Sequence, residues 1–401
     1  MPLDPRPAGP RTRGPAATDE VRRRNTAVLL RLLRDGSARS RADLARLSGL
    51  AKATVGAIVG DLEDLGVILE APAARDEPGR GRPGTLVRLD GRRHAGVGIE
   101  VNVDYVAVTV LDLTGAELWF ERTTWGAEPP GTEQVLRLAR EHLDRLHATG
   151  ASALGLTVAV PGLIDRSLGQ VVDAPNLGWH AEPLADRLSS GLACPGLAVA
   201  VDNDANCAAR AESLQGVAVG ETDLVYLTGT VGLGAGVIAG GEVLRGSRGL
   251  AGEVGHLRVG TDQPCACGRT GCWEALAGQR GLVAATGLEV ASDEDPVAYA
   301  ARVAALPDAA TLLQPVVAAM VRGVTGLALG LDPAVVVLGG AFVPLADVLV
   351  PALEQALDAG FTGPGTRVAP SSLGLHAASV GAALDALDAT YAGRRSLPRA
   401  G

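Results

Sequence analysis

Residues 253–274 read EVGHLRVGTDQPCACGRTGCWE. They bring one imidazole, His256, and three thiols, Cys265, Cys267 and Cys272, into one short stretch. Thiolates and a neutral imidazole suit the borderline softness of zinc, and four protein ligands close a tetrahedral shell. A closed shell points to a structural ion rather than a Lewis acid. Its expected task is to pin together the loops carrying Glu253 and Glu274. Three free thiols beside a core histidine is the competing reading. Clustered cysteines in a long chain of cytosolic character favour the metal. Cys194 and Cys207 have no such company and read as packing residues.

Outward from this stretch the sequence alternates strand and helix patterns. Segments 97–103, 106–111 and 118–124 read as strands, 133–148 as a helix and 153–160 as a buried strand. Segments 224–227 and 237–238 repeat the hairpin, joined by the glycine-rich turn at 229–236. That turn suits close approach to a phosphate or simply a tight hairpin. Helices are predicted over 276–286, 296–306 and 312–329, a buried strand over 334–338, and a last helix over 377–387. The body therefore reads as two α/β lobes, roughly 93–200 and 201–390, each opening with a hairpin aimed at a common cleft. At the junction between them stands Asp202-Asn203-Asp204-Ala205-Asn206. A carboxylate beside amides at a strand-to-helix junction takes a proton or binds hydroxyls, and the same residues favour helix capping.

Upstream the composition changes. Residues 1–93 hold 18 Lys+Arg against 12 Asp+Glu, while residues 94–401 hold 18 against 33. The whole chain of 401 residues carries a formal charge of −9, which excludes a uniformly nonspecific nucleic-acid binder and leaves the head as the part that meets a polyanion. Residues 1–18 read as a disordered arm. Residues 19–92 read as a winged helix-turn-helix. Asp19 is the expected cap of a first helix, Ser40 and Asp43 form a capping box, and Ser48-Gly49-Leu50 makes the turn into a helix from 52 to 65. Segments 67–69 and 86–89 are the wing strands. Lys52 and Thr54 are expected at base edges and phosphates. Arg39 and Arg41 are placed at backbone phosphates, and Arg80 and Arg82 in a narrow minor groove. Use of a winged helix for protein contact is the alternative.

Aromatics are only 3% of the chain, which disfavours a stacking surface. Residues 1–20 lack the apolar core of a signal peptide, and no long uncharged apolar run is seen, so a cytoplasmic protein without membrane insertion is expected.

Taken together, EVGH (253–256), CACGRTGCWE (265–274) and VDNDANCAARAE (201–212) resemble the ROK family, which groups sugar-responsive repressors with sugar kinases. The head resembles the repressor branch through SRADLARLSGLAKATV (40–55) and GRGRP (79–83). The resemblance implies a hexokinase/actin-like (ribonuclease H-like) two-lobe body with a sugar between the lobes. It maps sugar contacts onto Asn203, Asp204, Glu253, His256 and Glu274, and structural zinc onto His256, Cys265, Cys267 and Cys272. His256 would offer one ring nitrogen to zinc and the other to a sugar hydroxyl. The implied partners are a double-stranded DNA operator and a sugar or sugar phosphate, with the chain working as a homodimer or dimer of dimers.

The phosphate loops depart from the kinase pattern. The kinase D-x-G-G-T-K stretch reads Glu100-Val101-Asn102-Val103-Asp104-Tyr105 here. The glycines are gone, Asp104 stands where a hydroxyl should, and Tyr105 replaces the cation. Thr230-Val231-Gly232-Leu233-Gly234 loses a hydroxyl at Val231. A carboxylate about 5 Å from a phosphate charge, at an effective dielectric of about 20, costs about 3 kcal/mol. The expectation is a sugar-responsive transcriptional regulator, a repressor of carbohydrate genes, with no catalytic residue and Asp204 as a vestigial base. The alternatives are an ATP-dependent sugar kinase of the family carrying a DNA-binding domain, and a scaffold that docks a sugar-transport component.

Overall fold

The computed structural model describes residues 15–72, 85–125, 129–229, 232–291, 294–359 and 365–394. The head opens with α1 (Pro15–Leu33), which begins ahead of the expected cap at Asp19. Residues 1–14 of the expected disordered arm lie outside the described residues. Then come β1 (Arg39–Ser40), α2 (Arg41–Ser48) and α3 (Lys52–Asp64). Ser40 Oγ accepts from the Asp43 amide at 3.0 Å and donates to the Asp43 carboxylate at 2.7 Å. The aspartate thus returns to the serine hydroxyl rather than to a backbone amide. Gly49 closes α2 in the left-handed region at φ 69°, where glycine pays no Cβ penalty. The wing strands β2 (Ile68–Pro72) and β3 (Thr85–Leu89) pair antiparallel, and β1 adds to β3. The wing tip, with Arg80 and Arg82, lies outside the described residues.

The first lobe is a five-stranded sheet fed by a meander, β4 (His94–Val101), β5 (Tyr105–Asp112) and β6 (Glu117–Thr124). After α4 (Thr132–Ala148) the chain adds β7 (Ser152–Val160). A small antiparallel sheet of β8 (Leu163–Asp165), β9 (Gln170–Ala174) and β10 (Trp179–Glu182) follows, with α5 (Leu184–Leu192). β11 (Ala198–Asn203) then completes the order β11-β7-β4-β5-β6 and runs straight into α6 (Asp204–Gln215).

The second lobe repeats the plan. It is built from β12 (Leu224–Gly229), β13 (Leu233–Ala239) and β14 (Glu242–Val243). Its helices are α7 (Trp273–Ala277), α8 (Gln279–Thr286), α9 (Pro296–Ala304), α10 (Ala309–Leu312) and α11 (Gln314–Leu331). It closes with β15 (Val335–Gly340), α12 (Ala346–Asp358) and β16 (Arg367–Pro370), in the sheet order β14-β13-β12-β15-β16. The helix predicted over 276–286 divides at Gly278 into α7 and α8. Among the described residues α11 alone is long and apolar enough to cross a bilayer. Its Val316, Met320 and Val324 are buried in the second lobe's core, and Trp273 packs against Gly323.

The expected lobe boundary at residue 200 is corrected. It cuts through β11, which pairs in parallel with β7 from Ala198 to Asn203. The last helix, α13 (Ala377–Tyr391), also leaves the second lobe and lies across β4, β7 and α6 of the first. Close approach makes this possible. A Cβ on Gly98 would sit 2.1 Å from the Ser379 carbonyl oxygen, and one on Gly381 would sit 1.7 Å from that of Cys207. Only glycine admits such backbone contact.

Head and body share a core. Leu29, Leu30 and Leu33 of α1 belong to one buried cluster with Leu111, Leu113, Leu384, Leu387 and Tyr391. Arg34 lies over the Tyr391 ring at 4.6 Å and pairs with Asp388 at 3.4 Å. The Tyr391 hydroxyl donates to the Leu113 carbonyl. The head is therefore seated on the helix that crosses behind the cleft.

Candidate functional site

At one end of the cleft the segment 253–274 wraps against β13. A 3-10 turn over Val254–His256 turns His256 toward the cysteine loop. One donor atom each from His256, Cys265, Cys267 and Cys272 falls within 4.8 Å of the others. Cys267 Sγ and Cys272 Sγ are 3.7 Å apart, and Cys265 Sγ lies 3.9 Å from His256 Nδ1. Tetrahedral zinc with bonds of about 2.0–2.3 Å requires donor separations of about 3.4–3.8 Å. The four residues fit a zinc ion. Hydrogen bonding from Arg269 holds the Cys267 thiol down to about 6, so it is poised as thiolate. The His256 nitrogen nearest the cysteine loop is Nδ1, so an ion held there would leave Nε2 for another partner. Glu274 opens α7, and its Oε1 lies 3.5 Å from His256 Nδ1 and 2.8 Å from Cys265 Sγ. Glu274 thus sits at the rim of the metal cluster.

The middle of the cleft is the β11–α6 junction. Asn203 is the cap of α6: its Oδ1 accepts from the Asn206 amide at 3.1 Å, and its Nδ2 donates to the Gly162 carbonyl at 3.1 Å. Capping and function are not exclusive here, because the cap fixes where Asp204 points. Asp204 Oδ1 accepts from the Ala205 amide at 2.8 Å. Burial pushes its carboxyl up to about 6, and Glu253 adds to the rise. Burial likewise raises Glu253, with His256 and Glu274 in its field. Of the five expected sugar contacts, Asn203 and Asp204 stand together at the start of α6, Asp204 feels the charge of Glu253, and Glu253 that of His256 and Glu274.

The other end of the cleft holds the first hairpin. Asn102 N–H donates to the Tyr105 carbonyl at 2.8 Å, and Val103 N–H donates to Asn102 Oδ1 at 2.7 Å. Tyr105 does not point out as a cation would. Its hydroxyl donates to Glu100 Oε1 at 2.6 Å. Arg122 covers the Tyr105 ring at 4.1 Å and pairs with Asp295, the cap of α9 in the other lobe. Burial pushes the Glu100 carboxyl up to about 7, against the lowering pull of the Tyr105 hydroxyl. Glu100, Asn102, Tyr105 and Asp204 line one cavity with Tyr226, Thr228 and Gly340. In the second loop, Thr230 and Val231 lie outside the described residues.

Sequence reasoning missed the network behind this cleft. Arg166 donates to Asp202 at 2.7 Å and to both Asp385 oxygens at 2.8 Å, and Asp385 accepts from Thr157 at 3.0 Å. Arg245, following β14, also reaches Asp202. This joins β11, α13 and the second lobe through buried carboxylates. The one sequence signal was Asp202 itself, at the end of a buried strand.

In the head, Lys52 is exposed at the first turn of α3. The cap residue Ala51 offers no side-chain bond and the first turn has no acid, so free amides and the positive helix end face outward. Thr54 is half-buried on the same turn. Arg39 is spent within the head: its Nε donates to the Leu32 carbonyl at 2.7 Å, and it pairs with Asp35. Arg41 pairs with Glu70 at 2.5 Å. Both arginines are engaged within the head in this structure.

The pattern of the ROK family matches residues 96–389. The chain belongs to the ROK family. Among curated relatives, this ROK chain is 32% identical over 270 residues to a putative xylose repressor of Caldicellulosiruptor sp. (strain Rt8B.4), covering 66% of each chain. It is 32% identical over 245 residues to a glucokinase of Halalkalibacterium halodurans, covering 57% of this chain and 73% of that one. The chain thus spans just under two thirds of the length of that repressor. A solved ROK family transcriptional regulator, a homologue of the E. coli MLC protein, matches with TM-score 0.77 at 24% identity over 93% of this chain and 98% of its own. A ROK family glucokinase from Streptomyces griseus, solved with glucose and AMPPNP, matches with TM-score 0.61 at 28% identity over 72% of this chain and 98% of its own. The kinase fold accounts for the ROK body alone, whereas the regulator fold extends over most of the head as well. The winged helix-turn-helix and the hexokinase/actin-like body expected from sequence are both present.

Proposed function

We propose that this ROK protein is a sugar-responsive, DNA-binding transcriptional regulator, a repressor of carbohydrate genes, and that it does not transfer phosphate. The observation that carries this reading is the first hairpin, where the amides of Asn102 and Val103 are spent within their own turn. Phosphoryl transfer is mostly positioning and charge neutralisation, and this loop has its Asn102 and Val103 amides taken and carries Tyr105 where the kinase pattern has a cation. The relatives named repressors and the basic head support the regulatory half.

Zinc on His256, Cys265, Cys267 and Cys272 would fix the EVGH turn relative to α7, and with it Glu253 and Glu274. It would also settle which His256 nitrogen faces the sugar. A sugar held by Asn203, Asp204, Glu253, His256 and Glu274 touches residues on both sides of the cleft. Closure reaches α6, then α13, then Tyr391 and Arg34 under α1. In a dimer this changes how two heads span half-sites one helical turn apart. The ligand shifts that balance only by its differential affinity for the two states. Anisotropy of labelled operator DNA, titrated with protein at fixed salt with and without each sugar of a library, tests the reading. One sugar is expected to weaken binding at least tenfold. No response to any sugar contradicts it.

The kinase reading has one observation in its favour: Asp204, raised to about 6, is poised as a base near neutral pH. Turnover in a coupled ATP assay that Asp204→Asn abolishes would establish it.

A further inference from the structure

The cavity at the hairpin end of the cleft has a chemistry that selects among sugars. A small cavity of about 30 Å³ is lined by Glu100, Asn102, Tyr105, Asp204, Tyr226 and Thr228, with small residues and Leu375 completing the wall. It opens onto Asp204, one of the expected sugar contacts. Its lining holds two carboxylates and no cation. Arg122 stands behind the Tyr105 ring and is occupied by Asp295. Glu100 is 4% exposed; its Oε1 is bonded to Tyr105, and its Oε2 has no well-formed hydrogen-bond partner, the Asn102 side chain being its polar neighbour. A buried carboxyl oxygen left without a partner is costly, so this position calls for a hydroxyl from outside the chain.

We propose that this cavity receives the hydroxyl end of an unphosphorylated sugar, with Glu100 and Asp204 as its hydrogen-bonding partners, and that the same pair of carboxylates excludes a phosphate ester there. The inference rests on the sugar-responsive reading and narrows it from "sugar or sugar phosphate" to the free sugar. Hydroxyls both donate and accept, which matches a lining of carboxyls, phenols and the Thr228 hydroxyl. A phosphate monoester brings close to two negative charges and only acceptor oxygens. In this cavity it meets two acidic groups, with no arginine, lysine or free helix start to receive it. A metal ion is the other occupant that carboxylates suggest. Asn102 turned onto Val103 and Glu100 tied to Tyr105 leave too few converging oxygens to enclose one.

The test is calorimetric titration of the full chain with D-glucose, D-xylose and N-acetyl-D-glucosamine, and then with the 1- and 6-phosphate esters of the hexoses. At least one free sugar is expected to bind. The ester whose phosphate enters the cavity is expected to bind about 100-fold more weakly. Glu100→Gln should narrow that gap about tenfold, the free sugar losing affinity with its hydrogen-bond partner while the ester gains it. The wild-type comparison stands even if the variant fails to fold. Both esters binding within threefold of their parent sugar, or an ester binding more tightly, overturns the inference and leaves the sugar-responsive reading intact. No heat from any sugar or ester overturns both.

Discussion

At the metal end of the cleft, four donors point at one shared centre. At the hairpin end, the polar groups point at one another: Asn102 onto Val103, Tyr105 onto Glu100, Arg122 onto Asp295. Three thiols and an imidazole converging within 4.8 Å, Cys267 exposed and the other three buried or half-buried, are arranged to hold an ion. Donors paired within the chain are, on the proposed reading, unavailable to a nucleotide. On that reading, one end of the cleft is organised to hold a metal while the other is filled by its own side chains, and the two-lobe body would serve a receptor rather than an enzyme.

The largest effect should come from breaking the converging end. Cys272 is 1% exposed and contributes one of the four donors. Cys272→Ser is expected to lose bound zinc and about 4 kcal/mol of stability, a size reserved for mechanisms such as loss of a metal. Metal analysis alongside thermal unfolding checks both. Full stability in a zinc-free variant would remove the metal from the account.

Next in size is the ion network behind the cleft. Arg166→Ala leaves Asp202 and Asp385 short of a buried partner, and about 3 kcal/mol should be lost. Burial alone would raise the Asp385 carboxyl, but Arg166 and Arg210 hold it below the usual carboxylate range. A depressed folded value contributes stability above the unfolded value, and that contribution disappears as pH falls through the folded value. The wild type should therefore lose this term only in strong acid, and the variant at higher pH. Denaturant melts between pH 3 and 7 read the difference.

Glu100 has the opposite sign. Its carboxyl is raised from 4.5 to about 7, so the folded state binds the extra proton across that window. Stability then declines as pH rises through it, by up to about 1.4 kcal/mol per pH unit for one group. Glu100→Gln should flatten this decline between pH 5 and 8. An unchanged profile would mean that Glu100 is solvated and the cavity open.

The smallest effects lie in the head. Arg80→Ala with Arg82→Ala should lower the slope of log binding against log salt by about 2, near 0.9 per phosphate contact. Lys52→Ala should lower it by about 1 on the same basis. Arg39→Ala is expected to act through stability, because Arg39 holds the end of α1. An unchanged slope in the double variant would take the wing off the DNA.

These contrasts also mark what the sequence could carry. The clustering of His256, Cys265, Cys267 and Cys272 was legible because their spacing is local. The helix-turn-helix was legible because Ser40, Asp43 and Gly49 act within a few residues of themselves. The lobe boundary was misread because β11 takes its place by pairing with β7, a contact no local pattern announces. Strand β16 was not read for the same reason, and α12 carries Pro351 inside its span, which reads as a break. The β4–β5 hairpin was legible as a departure from the kinase phosphate loop, but not the contact from Tyr105 to Glu100, which depends on strand register. Arg166 and Asp385 are 219 residues apart, and only the return of α13 to the first lobe brings them together.

The decisive measurement is a calorimetric titration of the zinc-loaded, sugar-saturated protein with magnesium and a non-hydrolysable ATP analogue. The account predicts no binding heat up to millimolar nucleotide, in a sample that has just bound its sugar. Saturable nucleotide binding at one site per chain would contradict it.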